Sequence, residues 1–302
     1  MAPAEGGVLE LGGALSVGRA LVLGALHGPA ELLPISSSAH VALVPWLLGW
    51  DYHRLDGELR KCFEVALHAG TAAALVITLR NELSETLTGL SARRAALLAL
   101  SCAPPAIAGY TLERTIERRC GTSRTIAAGL VAGSAAMAWA DRAAQTRHHE
   151  DAGAPDALCL GIAQACALVP GVSRGGATLA AARLRRFSRP DANRLSREAA
   201  LPVIAGATLL KTVRLRRRGL PPGGGLPFAA GAGASFLSTL ACTRLMAQVQ
   251  RERSLMPYVA YRTALAAIVL RRSSQRSGAW RVPGGSWARG TRRRGPCTTI
   301  TP

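Results

Sequence analysis

The sequence predicts an all-α, polytopic integral membrane protein. Three observations carry that reading: apolar runs rich in small residues, arginines gathered between those runs, and two polar turns in which a proline interrupts an apolar helix. The chain has 302 residues, 49% hydrophobic but only 4% aromatic, so its apolar content is mostly Ala, Leu, Val and Gly. Such small residues let helices approach closely in a bilayer. They also suit an Ala-rich soluble bundle, so composition alone does not separate the two. The formal net charge is +19, from 37 basic and 18 acidic residues, and every basic residue except Lys61 and Lys211 is arginine. A nucleic-acid partner is the usual implication of such a charge. Here it is disfavoured, because the arginines sit between apolar runs, as loop charges of membrane proteins do. No nucleic-acid motif is present, and no aromatic residues interleave with the basic clusters. The seven cysteines form no CxxC pair. Lying mostly in or beside apolar stretches, they read as small buried hydrophobes rather than a disulfide frame or zinc site.

In chain order, the first apolar segment is 11–26, with no basic leader or cleavage site before it, so it is read as retained. It runs into Glu31-Leu32-Leu33-Pro34-Ile35-Ser36-Ser37-Ser38-Ala39-His40. Pro34 removes a backbone donor and biases Leu33 away from helix, so the helix breaks there. The apolar return, 41–50, is too short to cross a bilayer about 30 Å thick. Segment, break and short return together predict a re-entrant hairpin. A polar loop at 51–61 precedes a second span, 62–79, which carries Glu64 and His68 on one helical face. Ionisable groups inside a span are candidates for function. A loop at 80–94 leads to a third span, 95–112, kinked at Pro104-Pro105, then a charged loop to 124 and a short fourth span, 125–140. The polar stretch 141–156 holds His148-His149-Glu150-Asp151, read as a solvated loop rather than a metal site. Apolar 157–169 meets Pro170-Gly171-Val172-Ser173-Arg174-Gly175-Gly176. Beyond it lie a basic stretch (183–197), a short apolar run (198–210), a second basic cluster (211–218), and spans at 226–246 and 256–270. Basic clusters on both sides of 198–210 conflict with the excess of positive charge on one membrane face.

The two broken turns resemble each other. Leu23-Gly24-Ala25-Leu26 before Leu33-Pro34 and Ser36 is echoed by Leu160-Gly161-Ile162-Ala163 before Val169-Pro170 and Ser173. Paired broken helices in two halves of a membrane protein place a site at the interface of the halves. The first turn supplies Glu31, Ser36, Ser37, Ser38 and His40; the second supplies Gly171, Ser173, Arg174 and Gly175. Arg174 is the natural phosphate clamp, because its planar fork matches phosphate oxygens. Backbone N–H groups of both turns, with Ser36, Ser38, Gly171, Ser173 and Gly175, can add phosphate contacts. Ser37 is the candidate nucleophile, or the group that places an attacking water. His40, one turn on, is the candidate to exchange its proton. Glu31 either orients His40 or holds a divalent cation.

These residues resemble the undecaprenyl-diphosphate phosphatase, or bacitracin-resistance, family. Residues 31–40 resemble its first signature and Pro170–Thr178 its second, with weaker matches at Phe63-Glu64-Val65, Met256-Pro257-Tyr258 and Tyr261-Arg262. The resemblance spans roughly residues 15–270. It implies a multi-pass protein of the bacterial cytoplasmic membrane with inverted repeats (11–140 and 157–270) and two re-entrant hairpins. It implies hydrolysis of the C55 lipid carrier diphosphate to the monophosphate for cell-wall synthesis, with a divalent cation, Mg2+ or Ca2+, as the candidate cofactor. A homodimer is compatible with it. The sequence departs from the family at His27, where a second glutamate is usual, at Gly175, where serine is common, and in the acid-free tail 271–302. For that tail a shifted reading frame is preferred over a disordered extension. A polyprenyl-phosphate flippase and an inactive family member are the competing readings.

Overall fold

A computed structural model describes residues 15–55, 57–218, 224–249 and 254–275. Among these the regular structure is helical: α1 (Val17–Leu32), α2 (Ser37–Leu48), α3 (Gly57–Thr78), α4 (Arg80–Thr88), α5 (Ala92–Cys120), α6 (Ser123–Asp141), α7 (Ala154–Cys166), α8 (Arg174–Leu184), α9 (Arg189–Arg218), α10 (Gly225–Val249) and α11 (Met256–Gln275). Short 3-10 turns occupy Asp51–Arg54 and His149–Asp151. Segments of α3, α5 and α10 (Leu59–Thr78, Ala92–Ile116 and Gly225–Thr243) are long and apolar enough to cross a membrane. Only 11% of the apolar window of α5 is buried in the protein. Tyr110 and Ile107 on that helix are largely exposed, a surface suited to lipid rather than water.

Local chemistry sets the helix ends. The Ser16 hydroxyl accepts the Arg19 N–H and opens α1, and Thr122 and Thr125 form a reciprocal cap on α6. Pro34 stops α1 and Pro170 follows the end of α7, as predicted. α2 starts at Ser37 after Ser36, and α8 starts at Arg174 after Ser173. Ser36 (φ 77°) and Ser173 (φ 72°) share the same left-handed backbone. Among the described residues the only other non-glycine with positive φ is Arg186. Such conformations cost energy in an L-residue and persist where the surroundings enforce them.

In chain order, α1, α2 and α3 precede the short α4 and then α5 and α6, and α7 to α11 follow. α1 packs against the long helix α10, and α7 against the long helix α5. α6 is shared. Its first turns join Ala39, Leu43 and Trp46 of α2 and Ala266 and Val269 of α11 in one core. Its last turns, at Met137 and Ala140, meet Leu179 and Ala180 of α8 in another. The α1–α10 contact depends on small residues. A Cβ at Gly24 would lie 2.3 Å from the Gly231 carbonyl, and one at Gly28 2.3 Å from Ser238 Oγ and 2.6 Å from Thr239 N. Replacing Gly24 with valine should push α1 off α10, with a fall in Tm; an unchanged melting temperature would contradict this close approach.

Several predicted boundaries move. The loop expected at 80–94 contains α4, and most of the charged stretch 113–124 continues α5 to Cys120, because Arg and Glu are good helix formers. α3 begins before Cys62, inside the expected loop 51–61. The basic stretch 183–197, the apolar run 198–210 and the basic cluster 211–218 are not loop, span and loop. From Arg189 onward they are one 30-residue helix, α9, with arginines at both ends; its interior is therefore not an independent short span. In the 141–156 segment His149 is buried and bonds Glu198 at 2.9 Å, while His148 pairs with Asp191 at 3.2 Å. Part of the tetrad read as a solvated loop is thus packed onto α9. Beside it Asp156 is gripped by Arg147 and Arg185 at 2.6–2.9 Å. The six described cysteines form no disulfide; none is fully buried, and Cys166 is exposed, so they are half-covered apolar groups rather than core. α11 extends through Gln275, five residues into the aberrant tail; residues 276–302, with Cys297, lie outside the described residues, as do 11–14.

Candidate active site

The two broken turns meet at Glu31, on the last turn of α1. Its Oε2 accepts the Ser37 hydroxyl at 2.5 Å, and its Oε1 accepts Arg174 Nη2 in a short ion pair. Glu31 is only 10% exposed and Arg174 22%, so the pair is screened little by water. One carboxylate therefore links the first turn's hydroxyl to the second turn's cation. A cavity beside it is lined by Glu31, Arg174 and Gly175, by Arg183, Arg189, Asn193, Ser196 and Arg197, and by apolar Leu32, Leu75, Leu79, Leu179, Leu201 and Ile204. Cationic and hydroxyl groups thus stand beside leucine and isoleucine side chains in one cavity.

The other sequence candidates fall around this centre. His40 does not reach Ser37. Its Nδ1 lies 2.7 Å from the Ser36 carbonyl and its Nε2 2.7 Å from the Tyr261 hydroxyl. A carbonyl can only accept, so Nδ1 carries the proton and Nε2 accepts from Tyr261. The Ser37–His40 contact expected from helical spacing is absent because both ring nitrogens are already engaged, and Glu31 takes the serine instead. Ser36 and Ser38 hydroxyls are 3.2 Å apart; Ser36 is buried and Ser38 exposed. The Ser173 hydroxyl caps α8 by accepting the Gly176 N–H at 3.3 Å. Gly171 has φ 97°, and a Cβ there would sit 2.3 Å from the Ile126 carbonyl, so glycine is required at this point. Gly175 borders open space. Glu64 lies one turn before His68 on α3, and its backbone carbonyl bonds His68 Nδ1 at 2.8 Å.

Two groups exceed what the sequence indicated. Arg262, on α11, is fully buried. It donates to the Pro34 carbonyl of the first turn at 2.9 Å and to the Gly171 and Val172 carbonyls of the second at 3.0 and 2.9 Å. It also reaches Ser134 Oγ at 3.1 Å. One guanidinium thus clasps both breaks, and its neighbour Tyr261 holds His40. The only sequence signal was the weak Tyr261-Arg262 match, since no local pattern foretells a contact across 228 residues. The second group is His27. It packs edge-on against His68, ring centroids 4.5 Å apart. His27, Glu31 and His68 each offer a ligand atom within 4.8 Å of the others, so the group could hold a metal ion.

The chain is thus a helical protein with membrane-length apolar helices, in which a hydroxyl, a carboxylate and an arginine meet between two broken helices, an arrangement suited to an amphiphilic phosphate. Its sequence matches the family described as bacitracin resistance protein BacA over residues 20–268, and the chain belongs to that family. It is 39% identical over 269 residues to the undecaprenyl-diphosphatase of Geobacter sulfurreducens, covering 85% of this chain and 98% of the relative. It is 38% identical over 265 residues to the undecaprenyl-diphosphatase of Geobacter metallireducens (83% and 96%) and 34% over 264 residues to that of Moorella thermoacetica (85% and 97%).

Proposed function

We propose that this chain hydrolyses undecaprenyl diphosphate to undecaprenyl phosphate and inorganic phosphate in the bacterial cytoplasmic membrane. That reaction returns the lipid carrier to peptidoglycan synthesis and confers resistance to bacitracin. The observation that carries the reading is the single carboxylate of Glu31, joined at once to Ser37 and Arg174. The family and the names of its relatives support the substrate, and the apolar cavity wall supports a polyprenyl tail. The equal element order, the matching backbone of Ser36 and Ser173 and the exchanged packing of the broken pairs support two inverted halves, roughly 11–140 and 157–270, each with a re-entrant hairpin.

In the proposed chemistry the terminal phosphate displaces Glu31 from Arg174 and takes the guanidinium fork. Ser37 Oγ attacks the terminal phosphorus and its proton passes to Glu31, 2.5 Å away. The bond to the bridging oxygen breaks and the lipid phosphate leaves. The departing lipid phosphate takes that proton from Glu31; water then attacks the phosphoserine and gives a proton to Glu31, which passes it to the serine oxygen as the bond to phosphorus breaks and inorganic phosphate is released. His40 acts by holding the Ser36 carbonyl, and with it the left-handed backbone that aims Ser37. A divalent cation near Glu31, if bound, would neutralise charge on the non-bridging oxygens.

Ser37→Ala is expected to lower phosphate release by about 10³-fold or more with little change in Tm. Retained release would refute the nucleophile. Continued movement of lipid phosphate between leaflets in Ser37→Ala vesicles, with no hydrolysis by the wild type, would favour a flippase instead.

A further inference from the structure

We propose that His27, Glu31 and His68 form a site for a borderline-soft transition-metal ion, with Zn2+ as the reference case, rather than for Mg2+ or Ca2+. The inference concerns the ion held beside the proposed hydrolytic site, and its binding is measured without substrate, so it stands or falls apart from the phosphatase reading.

The hydrogen bonds fix the tautomer of each histidine. His68 Nδ1 lies 2.8 Å from the Glu64 carbonyl. A carbonyl only accepts, so Nδ1 is the protonated nitrogen and Nε2 of the neutral ring keeps its lone pair. That Nε2 is 3.9 Å from Glu31 Oε2. His27 is settled by a longer chain. Ser235 Oγ donates to the Leu67 carbonyl at 2.9 Å. It must therefore accept from Thr71 Oγ1, 2.7 Å away. Thr71 Oγ1, its proton spent, accepts from His27 Nδ1 at 2.9 Å. His27 Nδ1 thus carries the proton and Nε2 is bare. This Nε2 has no hydrogen-bond partner, although the ring is fully buried. An orphaned buried nitrogen is costly unless something fills its lone pair.

Two imidazoles, each donating Nδ1–H to a fixed acceptor and each offering Nε2 beside a carboxylate, are arranged as metal-bound histidines are. Donor type then selects the ion. Mg2+ and Ca2+ require oxygen ligands, and this group supplies two nitrogens and one carboxylate. That set suits Zn2+, Co2+ or Ni2+, with a fourth position left for a water or a phosphate oxygen. Metal bonds of about 2.0–2.1 Å set donor separations near about 3.4 Å, so the side chains would close in from separations of up to 4.8 Å. The His27 position, where the resemblance implies a glutamate, is what turns an oxygen site into a nitrogen one.

The experiment uses the full chain, purified in detergent, stripped with chelator and dialysed against Zn2+ or Co2+. One zinc per chain is expected by mass spectrometry. Co2+ should give a visible d–d band that Zn2+ abolishes and that excess Mg2+ or Ca2+ leaves intact. His27→Gln and His68→Gln should each lose the band, whereas His148→Ala with His149→Ala should keep it. Thr71→Val removes one of the two acceptors of His27 Nδ1–H, the other being Ser235 Oγ at 3.2 Å, and should weaken binding by about 10-fold. Melting curves of metal-free samples report folding, and His68, with a side chain 35% exposed, gives the variant least able to disturb packing. A wild type that retains no zinc, a band that persists in His68→Gln, or a band removed by Mg2+ would each overturn the proposal.

Discussion

Arg174→Ala is expected to reduce phosphate release by about 10³–10⁵-fold, the range found when an arginine that stabilises a transferring phosphoryl group is removed. The reason is geometric as well as electrostatic. Arg174 stands at the first position of α8, after Ser173 has turned the chain through its left-handed conformation. Its fork already holds one oxyanion, Glu31, and the phosphate replaces that partner with another of the same charge. Arg174→Lys keeps the charge but loses the two-pronged match, so it should recover only part of the rate. Because the arginine is needed more in the transition state than in the ground state, the loss should fall mainly on kcat. Removing it also leaves Glu31 without its cation, and the double variant Arg174→Ala, Glu31→Gln should restore Tm toward the wild type without restoring activity. A variant at Arg174 with wild-type kcat would exclude the phosphate clamp.

Arg262→Ala is expected to be the most destabilising single change in the described residues. It strips hydrogen bonds from the Pro34, Gly171 and Val172 carbonyls and from Ser134. Each buried carbonyl left without a partner costs about 1–3 kcal/mol, so a total on the order of 3–5 kcal/mol is expected after relaxation. Both broken turns lose their common anchor, and activity should fall with stability. Arg262→Lys, which keeps one donor group but not the fork, separates the two effects. It should fold with lowered Tm and lowered kcat, because Ser37 and Arg174 are then aimed less accurately. Thermal melting in detergent together with kinetics of the lysine variant checks this. A stable, fully active Arg262→Ala would show that the clasp is not needed.

The turns at 31–40 and 170–176 were legible in the sequence because their causes are local: a proline ends a helix, and serine or glycine permits the bend after it. The residues that join the turns were not. Arg262 acts across 228 and 90 residues, and apart from the weak Tyr261-Arg262 match nothing in its own helix marks it. The Ser37–His40 pairing failed for a related reason. Helical spacing put the two within reach, but the Ser36 carbonyl and Tyr261 claim the imidazole, leaving Ser37 to Glu31. α9 is not legible as one helix because clustered charge suggests loops, whereas arginines at both ends of a long helix extend it without breaking it. His27 is a candidate in the sequence, standing where a glutamate is expected; its meaning depends on His68, which sits 41 residues later and meets it only in the folded chain.

The measurement closest to the central claim is phosphate release from undecaprenyl diphosphate by the purified wild type and by Ser37→Ala, run side by side with melting curves. The account predicts that the wild type yields the monophosphate and one inorganic phosphate per lipid, and that the folded Ser37→Ala protein yields neither at a measurable rate. A wild type that leaves the diphosphate intact, or a Ser37→Ala protein that cleaves it at the wild-type rate, would contradict it.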